Sequence, residues 1–257
     1  MKVANILAAG ALSAVIATPV ALAADSMTPE QKKEIQQVVH DYLVSNPEVL
    51  IEASQALQQK QQKDMQVQAQ SAISGNADQL FHEKLSVAGN PKGDVTLVEF
   101  FDYQCIHCKK MNPVITALLK KDNNLRVVYR EFPIFGKSSE LASQAALAAA
   151  MQGKYVAMHD ALLNVGKRLD EKTVMEAAKS VGLDMNRLKK DMASKEVADA
   201  LKANRELAEK MHLMGTPAFV VAATPAGEFK AGGDVTFIPG AASEEALQEL
   251  IQKAGKK

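Results

Sequence analysis

The stretch from Val95 to Met111 limits the possible folds of this chain more than any other. Val95-Thr96-Leu97-Val98-Glu99-Phe100-Phe101 is a short run rich in Val and Phe, the pattern of a strand buried on both faces. Cys105-Ile106-His107-Cys108 follows, and Met111, Ile115, Leu118 and Leu119 then recur at helical spacing. A strand that feeds a helix opening on Cys-x-x-Cys places the first sulfur at the helix N-terminus. There the unpaired N–H groups and the positive end of the macrodipole favour a thiolate over a thiol. A thiolate is the form that attacks disulfides. Cys105 is therefore the candidate nucleophile, and Cys108, one turn later, can close a disulfide with it.

Half of a structural zinc site would also read Cys-x-x-Cys, but such a site wants four ligands and this chain has only these two Cys. Its His residues, at 40, 82, 107, 159 and 212, are scattered. Neither a metal site nor a cofactor is expected. Lys+Arg and Asp+Glu balance at 30 each, Trp is absent and aromatics make up 5% of the 257 residues. That composition offers no nucleic-acid footprint and no platform on which bases could stack.

Residues 1–23 read as a cleaved leader. Lys2 supplies the charge, Ile6 to Val20 is apolar, and Ala21-Leu22-Ala23 is a cleavage site. Export puts the two thiols in an oxidising compartment, where an isolated Cys-x-x-Cys pair is better explained as catalytic than as structural. Residues 24–74 read as a separate helical segment. Thr28-Pro29-Glu30-Gln31 is a capping box with Pro at the first helical position, and Asn46-Pro47 restarts a second helix. Ile35, Val38, Val39, Tyr42, Leu50 and Leu57 mark an apolar stripe with no local partner, so the segment is expected to self-associate.

The chain then divides into residues 75–135, 136–204 and 205–257. The first part holds a short helix over 77–85, the Cys-bearing strand and helix, and a second strand over 125–133. The middle part is helical throughout, and its Met residues are core filler. The last part continues a long helix to His212 and resumes as a strand after Gly215-Thr216-Pro217, where a cis X-Pro bond is expected. Gly227 is read as a hairpin turn, Glu228-Phe229-Lys230 as an outer strand, and Ser243 as the cap of a C-terminal helix.

This order, with Glu99-Phe100-Phe101, Cys105-x-x-Cys108 with His107, and Gly215-Thr216-Pro217, resembles the DsbA-like family of exported thiol–disulfide oxidoreductases over about residues 80–257. The head, with Tyr42-Leu43 and Asn46-Pro47-Glu48-Val49-Leu50, is similar to the N-terminal oligomerisation segment of ScsC-type relatives. The resemblance implies an α/β, thioredoxin-like fold with an inserted all-helical domain, preceded by an N-terminal helical oligomerisation segment. It implies that Cys105 exchanges with substrate, that Cys108 resolves the mixed disulfide and that His107 stabilises the Cys105 thiolate. It further implies that Glu99 accepts the Cys108 proton and that Thr216 and Pro217 hold substrate backbone. Ile106 stands where DsbA itself has Pro, so the redox potential does not carry over. Thr216 is similar to the residue of the oligomeric disulfide isomerases.

The expected function is therefore a periplasmic enzyme that forms or isomerises disulfides in exported, cysteine-containing proteins. Its expected partners are those substrates, a membrane protein that resets the Cys pair, and further copies of itself, a dimer favoured, joined through residues 24–74. The competing expectation is an exported protein that uses the same two thiols to bind a soft metal such as copper.

Overall fold

A computed structural model describes residues 27–83, 85–230 and 232–256. The expected leader, residues 1–23, lies outside the described residues. Two helices open the described chain, α1 (Pro29–Ser45) and α2 (Glu48–Gly75), and a short α3 (Ala77–Phe81) follows. β1 (Val87–Gly89), β2 (Val95–Phe101), α4 (Ile106–Lys121) and β3 (Leu125–Glu131) come next. Five helices then run in succession: α5 (Lys137–Ala150), α6 (Tyr155–Leu163), α7 (Glu171–Ser180), α8 (Met185–Met192) and α9 (Lys195–Lys210). β4 (Ala218–Ala223), β5 (Val235–Pro239) and α10 (Glu244–Gly255) complete the fold. The chain forms two compact units, one ending at Gln58 and the other running from Gln59 to the C-terminus, so the boundary falls within α2.

In the first unit α1 starts as the sequence predicts. Thr28 Oγ1 accepts from the Gln31 N–H at 3.3 Å, and Gln31 Oε1 accepts from the Thr28 N–H at 2.9 Å. Asn46 serves the other end of this helix rather than the start of the next, its amide donating to the Tyr42 carbonyl at 2.9 Å. No residue of α1 is buried. Val38 is 68% exposed and Tyr42 56%.

The second unit is built on a mixed sheet of strand order β1-β3-β2-β4-β5. β2 is central, parallel to β3 and antiparallel to β4, and each of its residues is buried. That explains the continuous apolar run, because neither face of β2 meets water. Leu97 and Phe101 point into a core shared with α4, α10 and the helices after β3. Val98 and Phe100 point into a second core, closed by Ala69 and Ile73 of α2, Leu80 and Phe81 of α3, and Leu207 and Met211 at the end of α9. The last turns of α2 thus belong to the packing of the sheet.

Two arginines of β3 hold α3 in place. The guanidinium of Arg126 donates to the carbonyls of Phe81 and Glu83 at 2.8 and 2.9 Å. That of Arg130 donates to the Leu80 carbonyl at 2.9 Å, to the Gln79 carbonyl, and to the Glu83 carboxylate at 2.7 Å. A short helix leaves its last carbonyls without internal partners, and these buried cations supply them.

Several local expectations need correction. Glu228-Phe229-Lys230 is not a strand. A tight 3-10 turn at Pro225–Gly227, with Ala226 at φ 59° and Gly227 at φ 83°, turns the chain under the loop at Pro91. A Cβ on Gly227 would lie 2.4 Å from the Pro91 carbonyl, so only glycine fits there. Phe229 instead stacks on Phe81, ring centroids 4.7 Å apart, and β5 at Val235–Pro239 takes the edge. The helix expected over 77–85 stops at Phe81, and β1, which the sequence did not suggest, pairs with β3.

Ile73 is fully buried. Ile73→Ala, introduced into a chain starting at Gln59, should cost about 2–5 kcal/mol in a urea titration, as for an Ile emptied from a packed core. A value below about 1 kcal/mol would show that this helix is not part of the sheet's core.

Candidate active site

Cys105 is the N-cap of α4, with extended backbone at φ −71° and ψ 118°. Its N–H donates to the Asp102 carbonyl at 3.1 Å, and its own carbonyl accepts from the Lys109 N–H at 3.1 Å. The N–H groups that open the helix are therefore free to face the sulfur. Both cysteines are free thiols. The Cys105 thiol is held down at about 5, and its largest cause is the hydrogen bond from Cys108. The Thr216 side chain and the backbone N–H groups of Cys108 and His107 add to it, against the opposing effect of burial.

Thr216 meets this sulfur in two ways. In the thiol form Cys105 Sγ donates to the Thr216 carbonyl at 3.3 Å. The Thr216 hydroxyl is buried and has no hydrogen-bond partner among the described residues, which leaves it available to this sulfur. A carbonyl cannot solvate a thiolate, so the hydroxyl is the group able to turn toward the sulfur on ionisation. The Thr216–Pro217 bond is cis, as expected, and β4 runs from Ala218 antiparallel to β2, with Ala218 opposite Phe100. That pairing brings the Thr-Pro turn to the end of β2 from which the Cys105 turn departs.

Cys108 lies one turn into α4, 1% exposed, and its thiol is pushed far up. The first cause is its hydrogen bond to Cys105, then burial, then the charge of Glu99. Glu99 is 2% exposed on the face of β2 that Leu97 and Phe101 share. Burial pushes its carboxyl well up, and the charges of Cys105 and Glu131 push it further. The structure thus brings together Cys105, Cys108, Glu99 and the Thr216–Pro217 turn. His107 differs. Its side chain is exposed on the outer face of α4, and the group that reaches the sulfur is its backbone N–H.

A second set of buried polar groups was not read from the sequence. Glu131, at the end of β3, accepts from Tyr103 at 3.0 Å, Tyr155 at 2.8 Å and Ser143 at 2.7 Å. Burial pushes its carboxyl up to about 8 despite these donors. His159 is wedged against Tyr129, ring centroids 4.1 Å apart, and burial pulls its imidazole down to about 3. The alternation of β3 could have flagged Glu131, since it falls on the same inward face as Val127 and Tyr129. Among the described residues no three or more His, Cys, Asp and Glu side chains converge as a metal site would require.

Residues 96–252 match the family described as DSBA-like thioredoxin domain, and residues 31–63 match the Copper resistance protein ScsC N-terminal domain. The crystal structure of BcfH from Salmonella enterica Typhimurium is 33% identical, with a TM-score of 0.74, over 88% of this chain and 96% of that one. A thioredoxin-like oxidoreductase from Silicibacter pomeroyi DSS-3 is 40% identical, with a TM-score of 0.64, over 71% of this chain and 99% of that one. Among curated relatives, the Na(+)/H(+) antiporter NhaA 3 of Salinispora tropica is 31% identical over 137 residues. Those residues are 52% of this chain and 21% of that much longer protein.

The ultraviolet absorbance of the Cys105 thiolate in the reduced protein should titrate with a midpoint near 5. A folded pKa below the unfolded one stabilises the reduced protein above the unfolded thiol value of about 8.5. That stabilisation shrinks as pH falls and is gone below about 5. Urea midpoints of the reduced protein and of Cys105→Ser should therefore converge as pH is lowered from 8.5 to 4.5. A gap that stays constant contradicts the assignment.

Proposed function

The chain belongs to the DSBA-like thioredoxin domain family, a family of disulfide oxidoreductases, and on that premise we propose that it is an exported enzyme that exchanges disulfides with cysteine-containing proteins through Cys105 and Cys108. The observation that carries this reading is the opposite displacement of the two thiols, Cys105 down and Cys108 up. Such a pair has one good leaving group and nucleophile and one partner that keeps its proton until needed.

As an oxidase, the Cys105–Cys108 disulfide is attacked at Cys105 by a substrate thiolate. The S–S bond breaks, a mixed disulfide forms, and Cys108 leaves with the electron pair and takes a proton, for which Glu99 is the nearby acid. A second substrate thiolate then attacks the mixed disulfide, forming the substrate disulfide and releasing Cys105 as thiolate. The enzyme is left reduced by two electrons, and a membrane redox partner is proposed to reset it. As an isomerase, the Cys105 thiolate attacks a wrong substrate disulfide and is later displaced by another substrate thiol, with no net redox change. Phe135, 57% exposed, and Met214, 97% exposed, offer apolar surface to an unfolded chain. A cleft of about 560 Å³ lined by Thr216, Pro217, Met211, Leu213 and Phe237, with Met65 of α2 on one wall, can take the chain beside its cysteine.

Export rests on the leader read in residues 1–23, and a periplasmic location follows from it. Among the described residues no helix is long and apolar enough to cross a membrane. Self-association through the head, a dimer favoured, is supported by the exposed apolar residues of α1 and by the family matched at residues 31–63. A second reading, capture of a soft metal by the two thiols, is favoured only by the copper-resistance name of that matched segment.

The test is refolding of a reduced and of a scrambled disulfide protein. The parent should catalyse both, Cys105→Ser neither, and Cys108→Ser should accumulate a mixed disulfide at Cys105. A chain starting at Gln59 should be monomeric by light scattering, keep oxidation and lose most of the repair of scrambled disulfides. Stoichiometric Cu(I) binding with no turnover in either assay would favour the second reading. An active truncation that still self-associates would remove the head from the assembly.

A further inference from the structure

Asp102 lies between the strand that carries Glu99 and the helix that carries both sulfurs, and it is fully buried. Its Oδ1 accepts from the Gln104 N–H and the Ser139 hydroxyl, each at 2.7 Å. Its Oδ2 accepts from the Ile134 N–H at 2.7 Å and the Phe135 N–H at 3.1 Å. Its backbone carbonyl accepts from the Cys105 N–H at 3.1 Å. Its backbone N–H lies against the Cys108 sulfur, one of the few influences that draw that thiol down.

A carboxylate out of water normally requires a cation or a full set of donors. Here the donors are all neutral, and three of the four are backbone N–H groups from two loops far apart in sequence. One loop is the turn that presents Cys105. The other leads from β3 into α5 and carries the exposed Ile134 and Phe135. Ser139 lies in the first turn of α5, and Ser143, one turn on, donates to Glu131, whose carboxyl the charge of Asp102 helps to push up.

We propose that Asp102 is a positioning residue for the disulfide exchange reaction, its buried carboxylate clamping the Cys105 turn to the loop that follows β3. This rests on the reading of Cys105 as the exchanging sulfur. The clamp fixes the turn so that the sulfur meets the first N–H groups of α4, the Cys108 thiol and the Thr216 hydroxyl together. It also fixes the loop that carries the exposed Ile134 and Phe135. An asparagine cannot reproduce it, since one oxygen would become an NH₂ group facing donors.

The sign of the effect separates this role from a plain charge effect. Removing a negative charge near a thiolate would lower the thiol's pKa. Loosening the turn raises it, because the donors to the thiolate lose their alignment. In Asp102→Asn the alkylation rate of Cys105 at pH 5 should fall about fivefold or more, the change in thiolate fraction when a midpoint near 5 rises by one pH unit. The equilibrium with glutathione should move toward the oxidised form by about tenfold, because a less stabilised thiolate makes the bridge less oxidising. Ser139→Ala keeps all three N–H bonds and should stay within about twofold of the parent in both measurements.

An unchanged or lowered Cys105 midpoint in folded Asp102→Asn overturns the proposal, as does Ser139→Ala shifting it equally. Should Asp102→Asn fail to fold, amide exchange in the parent decides. The Ile134 and Phe135 N–H groups must be protected although their side chains are exposed, and rapid exchange at both refutes the clamp. These readouts concern the titration and equilibrium of Cys105 alone. If the parent turned over no protein disulfide, the proposed function would fail while this clamp could still be measured.

Discussion

Three acids, Cys105, Cys108 and Glu99, share one buried site, where a negative charge on any of them makes a charge on the others costlier. Cys108 can donate a hydrogen bond to the Cys105 thiolate only while it keeps its own proton, and Glu99 makes that proton harder to lose. The Cys105 charge in turn helps to keep Glu99 protonated. The charge settles on Cys105 because the N-terminus of α4 and Thr216 supply donors that the other two sites lack. Each neighbouring element preserves this asymmetry.

Burial is the means. A carboxyl on a half-exposed strand would be solvated and ionised, and it would then repel the thiolate. β2 is buried on both faces, closed on one side by α4 and the helices after β3 and on the other by α2, α3 and α9. The arginines that hold the end of α3 therefore help to keep water from the sheet, although they touch neither sulfur. The alanines of α5, buried along most of its length, let α6, α7, α8 and α9 approach it closely enough to complete the cover.

Much of this could be read from the chain. The buried strand, the Cys-bearing helix, the capping box at Thr28 and the Thr-Pro turn were legible because each depends on residues adjacent in sequence. Glu99 was named only through the family resemblance. Asp102 and Glu131 were not legible, since most of their donors come from segments 24 to 37 residues away, brought together only by the sheet and by the helices after β3. For His107 the resemblance implied a stabilising role, and the structure gives it an exposed side chain and a backbone N–H toward the sulfur, a distinction that residue type cannot convey. The strand at 235–239 was missed because the outer strand was placed on Phe229, whose ring stacks on Phe81 instead.

The spacing of Ser139 and Ser143 sets where the helical insertion can change length. Both hydroxyls meet their carboxylates from one face of α5, a single turn apart. One residue added between them would rotate the second by about 100° and leave Glu131 or Asp102 short of a donor in a dry core. The first two turns of α5 are thus fixed in phase with the sheet. The loop between α8 and α9 carries none of these donors, so grafts that resize the insertion or remodel what it recognises should spare α5 and Tyr155, which opens α6 and also donates to Glu131.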